Sequence, residues 1–264
     1  MRLFQIDSFT KEVFKGNPAG VVLVEKPLFE ETMQALATEM NLAETAFVEK
    51  VGEKYGLRWF TPAKEVPLCG HATLASAFVL FEEGLHDAAE PVIFETLSGE
   101  LIVSKQEDGS LLMDFPRTDP KPYSGADLDK IQSLFGDAIH EVREVPNELI
   151  VILQSADAVR AANPSSDVIA ELAVNGVMVS GWDESGEYDF VSRYFAPNLG
   201  IKEDPVTGFI HTILSPYWAM QKGQDTFKCY QASTRGGELF VKVKENRTLI
   251  QGHAVKVFET DISI

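Results

Sequence analysis

Part of this chain is written twice, and that repeat limits its fold more than any other feature. Arg58-Trp59-Phe60-Thr61-Pro62 returns as Arg193-Tyr194-Phe195-Ala196-Pro197. The second copy then carries a three-residue insertion, after which Gly70 matches Gly208 and Gly99-Glu100-Leu101 matches Gly237-Glu238-Leu239. Val103, Glu107 and Leu111 match Val241, Glu245 and Leu249. Gly70 and Gly99 are as far apart as Gly208 and Gly237. Chance can supply one short match, but not an ordered series at fixed spacing. Ordered self-similarity marks one supersecondary unit used twice.

Both copies predict the same elements. A strand ends in Phe-x-Pro (57–60 and 190–195), a loop follows, and a helix opens at the glycine (70–82 and 208–222). Gly84 and Gly223 stand where a left-handed residue closes a helix. Two strands with hairpin turns come next, 100–105 with 110–115 and 238–244 with 248–251. The first helix, Ala72 to Leu80, is small and apolar on nearly every face, as a helix wrapped by a sheet must be. Before these elements, copy one reads as strands at 2–8, 20–24 and 45–49 with a helix at 29–40. Copy two has strands at 148–153 and 176–180 around a helix at 165–172. The Pro- and Gly-containing stretch 116–126 divides the copies. The expected architecture is α+β, with two pseudo-symmetric domains at 1–115 and 116–264. Each is a curled, mostly antiparallel sheet around a central helix, and the last strand is free to cross back to the first domain.

Composition removes several function classes. The net charge of −17 argues against a nucleic-acid partner, which needs clustered Lys and Arg. No apolar run approaches the ~20 residues of a membrane helix, and Met1 to Asp7 does not read as a signal peptide. Two cysteines in 264 residues suit a reducing cytoplasm better than a secreted disulfide scaffold. The five histidines show no metal-ligand spacing. No Walker A, Gly-x-Gly-x-x-Gly or Gly-x-Ser-x-Gly sequence is present. The expectation is chemistry with no cofactor and no metal, performed by side chains.

The candidate chemistry gathers at the two matched helix starts. Pro67-Leu68-Cys69-Gly70-His71 and Glu203-Asp204-Pro205-Val206-Thr207-Gly208 each bring unpaired N–H groups and a partial positive charge to a glycine that allows close approach. As a symmetric pair they are expected to face one cleft and hold a carboxylate or a developing oxyanion. A single such motif would read as a well-capped helix; the pair reads as a site. His71, in the first turn, is expected to be a neutral imidazole because the helix end lowers its pKa. Asp204 either orients a substrate or caps the helix. Glu44, in Asn41-Leu42-Ala43-Glu44-Thr45-Ala46-Phe47, sits where a helix gives way to an apolar strand, a place where partial burial suits a carboxyl group to take and return a proton. Cys69 raises the possibility of a two-thiol racemase. The repeat disfavours it, since position 69 maps to Thr207 and Cys229 maps to Pro91. Cys69 then reads as a small packing residue.

Gly16-Asn17-Pro18-Ala19-Gly20, the segments around Glu44, Arg58 and Gly70, Glu203 to Gly208, and Gln231-Ala232-Ser233-Thr234-Arg235-Gly236-Gly237 together resemble the phenazine-biosynthesis (PhzF-like) isomerase family over almost the whole chain. The resemblance implies the diaminopimelate-epimerase-like fold, a homodimer and no cofactor. It implies a glutamate, here Glu44, that shuttles a proton, supported by a histidine and an aspartate, here His71 and Asp204. Asn17, Gly70, Thr207, Gly208 and Phe209 would line the substrate site. Phe209 departs from the serine usual at its position, which points to a substrate other than the phenazine precursor. The expected function is a cofactor-independent isomerase that moves a proton on a small carboxylate. The alternatives are an amino-acid racemase or epimerase, or a non-catalytic metabolite-binding protein.

Overall fold

The computed structural model describes residues 1–263. The opening apolar segments become β1 (Arg2–Ser8) and β2 (Asn17–Val24), paired antiparallel with Ser8 opposite Asn17. The turn between them requires Gly16. Its φ is +63°, and an added Cβ would lie 2.1 Å from the Ser8 carbonyl oxygen. Pairing with β1 carries the second strand back to Asn17, so it starts earlier than the strand expected at 20–24. The helix α1 (Glu30–Met40) stops at Asn41, whose left-handed backbone (φ 49°, ψ 34°) turns the chain. β3 (Glu44–Val51) then runs parallel to β2 with Ala19 beside Glu44. β4 (Lys54–Phe60) pairs antiparallel with β3, and the short β5 (Glu65–Val66) folds back on β4.

Next comes the helix α2 (Gly70–Glu82), then β6 (Val92–Thr96), β7 (Gly99–Lys105) and β8 (Leu111–Pro116). Every residue of α2 from His71 to Phe81 except Phe78 is buried. The helix packs on β1, β2, β3 and β7, which is the wrapped helix its composition calls for.

The second unit comprises residues 115–250. It opens with β9 (Lys121–Pro122), α3 (Leu128–Phe135), β10 (Ile139–Val145) and β11 (Glu148–Leu153). Two short helices follow, α4 (Ala156–Ala161) and α5 (Ser166–Ala170), each begun by a serine whose hydroxyl caps it. β12 (Gly176–Trp182) lies parallel to β11 and antiparallel to β13 (Phe190–Ala196). Then come β14 (Ile201–Asp204), α6 (Gly208–Lys222), β15 (Thr226–Gln231) and β16 (Gly237–Val243). Leu149, Val151, Val177, Val179, Val191 and Phe195 alternate inward and form this unit's core with Ile131 and Ile169. β17 (Arg247–Gly252) leads the chain back to the first unit, residues 1–114 and 251 onward. There β18 (Ala254–Asp261) pairs antiparallel with β1.

The structure corrects one part of the repeat. Each copy has three strands after its helix, not two. β6 pairs parallel with β4, placing Phe94 opposite Tyr55, and β15 pairs parallel with β13, placing Cys229 opposite Phe190. Cys229 therefore corresponds to Phe94 and not to Pro91. The connection from helix to strand is longer in copy one, and the connection from β15 to β16 is longer in copy two. Together with the longer helix and longer following strand of copy two these differences cancel, which is why the glycine-to-glycine spacing is equal. The repeated arginine has one structural role in both copies. Arg58 grips Glu65 with two hydrogen bonds of 2.7 Å, and Arg193 grips Glu203 with bonds of 2.7 and 3.0 Å. Each two-pronged pair spans the loop that follows its strand.

Candidate active site

In the first unit, Glu44 starts β3 and its side chain is 19% exposed. Its Oε2 lies 3.3 Å from Nε2 of His71, within ion-pair distance but without hydrogen-bond geometry. The buried Ser8 hydroxyl fixes the base of His71 by donating to the His71 carbonyl at 2.8 Å. The other ring nitrogen, Nδ1, lies 3.4 Å from Cys69 Sγ. Cys69, the residue preceding α2, is therefore a neighbour of the imidazole as well as a packing residue. Burial lowers the His71 pKa to about 4, and a hydrogen bond to the Pro18 backbone carbonyl opposes that effect. The ring is neutral at physiological pH as expected, but desolvation is the leading cause, not the helix end. Asn17 is fully buried opposite Ser8. Gly20 lies close to Thr45, and an added Cβ 3.0 Å from Thr45 Oγ1 would require the threonine side chain to shift.

Glu44, Cys69 and His71 also form a group whose ligand atoms lie within 4.8 Å of one another. The thiol and the carboxylate address opposite ring nitrogens. That arrangement suits a proton path through the ring better than convergence on one ion.

In the second unit, Thr207 precedes α6 as Cys69 precedes α2. Neither of these residues caps its helix with its own side chain. Asp204 ends β14 and accepts a hydrogen bond from the Thr207 hydroxyl. Gln231, fully buried at the end of β15, accepts from the Thr207 N–H at 2.7 Å. It donates to the Asp204 carbonyl at 2.8 Å and to Thr207 Oγ1 at 3.1 Å. Gly208 is buried, whereas Phe209 is 47% exposed. His211 is fully buried with Nδ1 2.8 Å from the Thr207 carbonyl, and burial lowers its pKa to about 4 as well. Gln231 and His211 carry site geometry that the sequence reading did not assign. Gln231 was visible within the late motif, but the motif alone gives it no partner.

Strand registers show why the second unit has no counterpart of Glu44. Thr45 pairs with Phe60 as Val177 pairs with Phe195, so Gly176 holds the place of Glu44. A Cβ on Gly176 would lie 2.6 Å from the Tyr194 ring. The carboxylate nearby belongs to Glu148, one strand over in the place of Ala19. Glu148 is buried, receives bonds from Tyr194 at 2.9 Å and Asn175 at 3.1 Å, and has its pKa raised mainly by burial.

The fold is shared with a predicted epimerase of Pseudomonas aeruginosa, with a TM-score of 0.75 at 21% identity, covering 99% of this chain and 98% of that one. Residues 6–260 match the family model described as phenazine biosynthesis-like protein, PhzC-PhzF. The chain is 44% identical to an uncharacterized isomerase of Pseudomonas aeruginosa, covering 97% of this chain and 96% of that one. It is 40% identical to an uncharacterized isomerase of Halalkalibacterium halodurans, covering 98% and 97%. A crystal structure of a PhzF-family protein from Enterococcus faecalis superimposes with a TM-score of 0.94 at 41% identity, covering 100% of this chain and 99% of that one. The chain belongs to the phenazine biosynthesis-like family, and it is an isomerase. Among the described residues, no helix is long and apolar enough to cross a membrane.

Proposed function

We propose that the protein is a cofactor-independent isomerase in which Glu44 moves a proton between two carbons of a small carboxylate substrate. The observation that carries this reading is the Glu44–His71 pair, a partly exposed carboxylate 3.3 Å from an imidazole held neutral by burial. Glu44 as carboxylate removes a proton from a C–H bond made acidic by a neighbouring carboxylate or carbonyl. The electron pair of that bond moves onto oxygen, where first-turn N–H groups at Gly70 and His71 favour the charge. Protonated Glu44 then returns the proton to a different carbon, so the step balances with no external oxidant or reductant. Neutral His71 donates or accepts a hydrogen bond without adding a competing charge.

Asp204 is proposed as a supporting carboxylate for the same reaction, and Asn17, Gly70, Thr207, Gly208 and Phe209 as substrate contacts. The reading includes a homodimer in the cytoplasm. A second thiol base is disfavoured because Thr207 holds the place of Cys69 and its hydroxyl donates a hydrogen bond to Asp204.

The test begins with a thermal-shift screen of cyclic and aromatic carboxylates, because a ligand of the native state raises apparent stability. Hits are then followed by NMR for deuterium uptake from D2O. Wild type is expected to exchange a carbon-bound proton of at least one hit, and Glu44→Gln to bind that hit without exchange. Full exchange by the variant would overturn the assignment.

A further inference from the structure

The two copies also differ in what grips the residue before the helix. In copy one the strand before β7 ends in Thr96, whose hydroxyl serves only its own turn by donating to the Gly99 carbonyl at 2.7 Å. In copy two the corresponding strand ends in Gln231, a buried amide fully committed to the segment from Asp204 to Thr207. The next contact is shared by the copies: Ser98 donates to the Pro67 carbonyl at 2.7 Å in copy one, and Ser233 holds the matching Pro205 in copy two, so the difference lies in Gln231. Ser233 donates to the Pro205 carbonyl at 2.7 Å and accepts from the Gly236 N–H at 3.0 Å. Gly236 has φ +68°, a left-handed backbone that glycine adopts without strain.

The chemistry of the partners fixes the orientation of the Gln231 amide. Its oxygen faces an N–H donor and its nitrogen faces a carbonyl acceptor. Flipping the amide would set donor against donor and acceptor against acceptor. Since Gln231 Nε2 can only donate to Thr207 Oγ1, filling one of its two lone pairs, the hydroxyl proton is directed to the other neighbour, Asp204 Oδ2.

We propose that Gln231 is a positioning residue for the reaction. It orders a donor chain from Gln231 Nε2–H to Thr207 Oγ1 and from Thr207 Oγ1–H to Asp204 Oδ2, which holds the Asp204 carboxyl group in one orientation. The participation of Asp204 in turnover rests on the function proposed above; the direction of the chain does not. At Cys69 the neighbour is instead an imidazole, with His71 Nδ1 3.4 Å from Sγ.

The experiment has two arms. Neutron diffraction from D2O-exchanged wild-type crystals locates the deuteron on Thr207 Oγ1 without any substrate. A deuteron on the line to Asp204 is expected, and one directed at Gln231 overturns the proposal. The second arm measures proton exchange on a carboxylate hit from the screen. Gln231→Glu keeps the acceptor for the Thr207 N–H but loses the donors. It is expected to lower kcat about 10- to 100-fold, with KM changed less than about threefold and the acid limb of the pH profile moved upward. Gln231→Met, which removes both functions, should fall at least as far. Wild-type kcat and pH profile in either folded variant would overturn the proposal and leave Gln231 a structural peg. Should neither variant fold, the deuteron position alone decides. If wild type exchanges no proton on any hit, the function proposed above fails while the first arm still tests the donor chain.

Discussion

The starts of α2 and α6 are the same structural device given different chemistry. Each follows an extended residue, Cys69 or Thr207, whose carbonyl accepts a hydrogen bond from a side chain one turn later. In α2 the donor is the Thr73 hydroxyl at 2.6 Å; in α6 it is His211 Nδ1 at 2.8 Å. The second helical residue differs most. His71 is buried and paired with Glu44, whereas Phe209 is 47% exposed. The frame was kept through duplication while the reactive groups diverged. The lesson is that a repeat predicts where functional residues sit more reliably than which residues they are.

The largest expected contrast is between the two glutamates. Glu44→Gln should lower proton exchange by at least about 100-fold, the usual scale of a general acid/base, with little change in the melting curve. Glu148→Gln, which alters a carboxylate enclosed by Tyr194 and Asn175, should leave exchange near wild type. Equal losses in both variants would show that the copies share the chemistry after all.

The arginine pairs come next. Arg193 is more enclosed than Arg58, with side-chain exposures of 13% and 36%. Denaturant unfolding should show Arg193→Met costing about 2–3 kcal/mol and Arg58→Met about 1 kcal/mol, because the first leaves Glu203 unpaired in a drier setting. The reverse order would mean that exposure does not set the strength of these pairs.

His71 and His211 make stability depend on pH in one direction. Both pKa values fall from 6.5 to about 4 on folding. Between these values the unfolded chain binds protons that the native chain refuses, so stability falls as pH drops from about 6.5 toward 4. Urea titrations across that window should show a shallower slope for His211→Gln than for wild type. An unchanged slope would mean that His211 is charged in the native state. The smallest effect concerns Phe209→Ser. A half-exposed side chain should change stability by under about 0.5 kcal/mol, so any change in which carboxylates shift the melting temperature reports on recognition.

Much of this molecule was legible in its sequence. The repeat located the wrapped helices because glycine and Phe-x-Pro punctuate both copies, and the apolar run from Ala72 to Leu80 could only be interior. The family resemblance brought Glu44, His71 and Asp204 forward together. The segment between Pro116 and Glu148 was harder. α3 has eight residues and little room for a periodic pattern, and β10 is only partly buried, so its apolar alternation is weak. The partnership of Thr207 with Gln231 was hidden because its two ends lie 24 residues apart and meet only through strand order. The cause of the His71 shift was misjudged for a related reason. Sequence shows the helix end beside the ring, but not the sheet that closes over it.

The antiparallel seam of β18 with β1 also sets an order of events during synthesis. The N-terminal amine of Met1 donates to the Ile262 carbonyl at 3.1 Å, and the Ile262 N–H donates back to the Met1 carbonyl at 2.9 Å. Residues 115–250 are one continuous stretch, so on the ribosome this unit has all its strands before the first unit has its last. A chain stopped before residue 251 should accordingly resist protease through residues 115–250 while residues 1–114 are cut; the opposite pattern would show that the seam is dispensable. The half that is made first is the half that must wait.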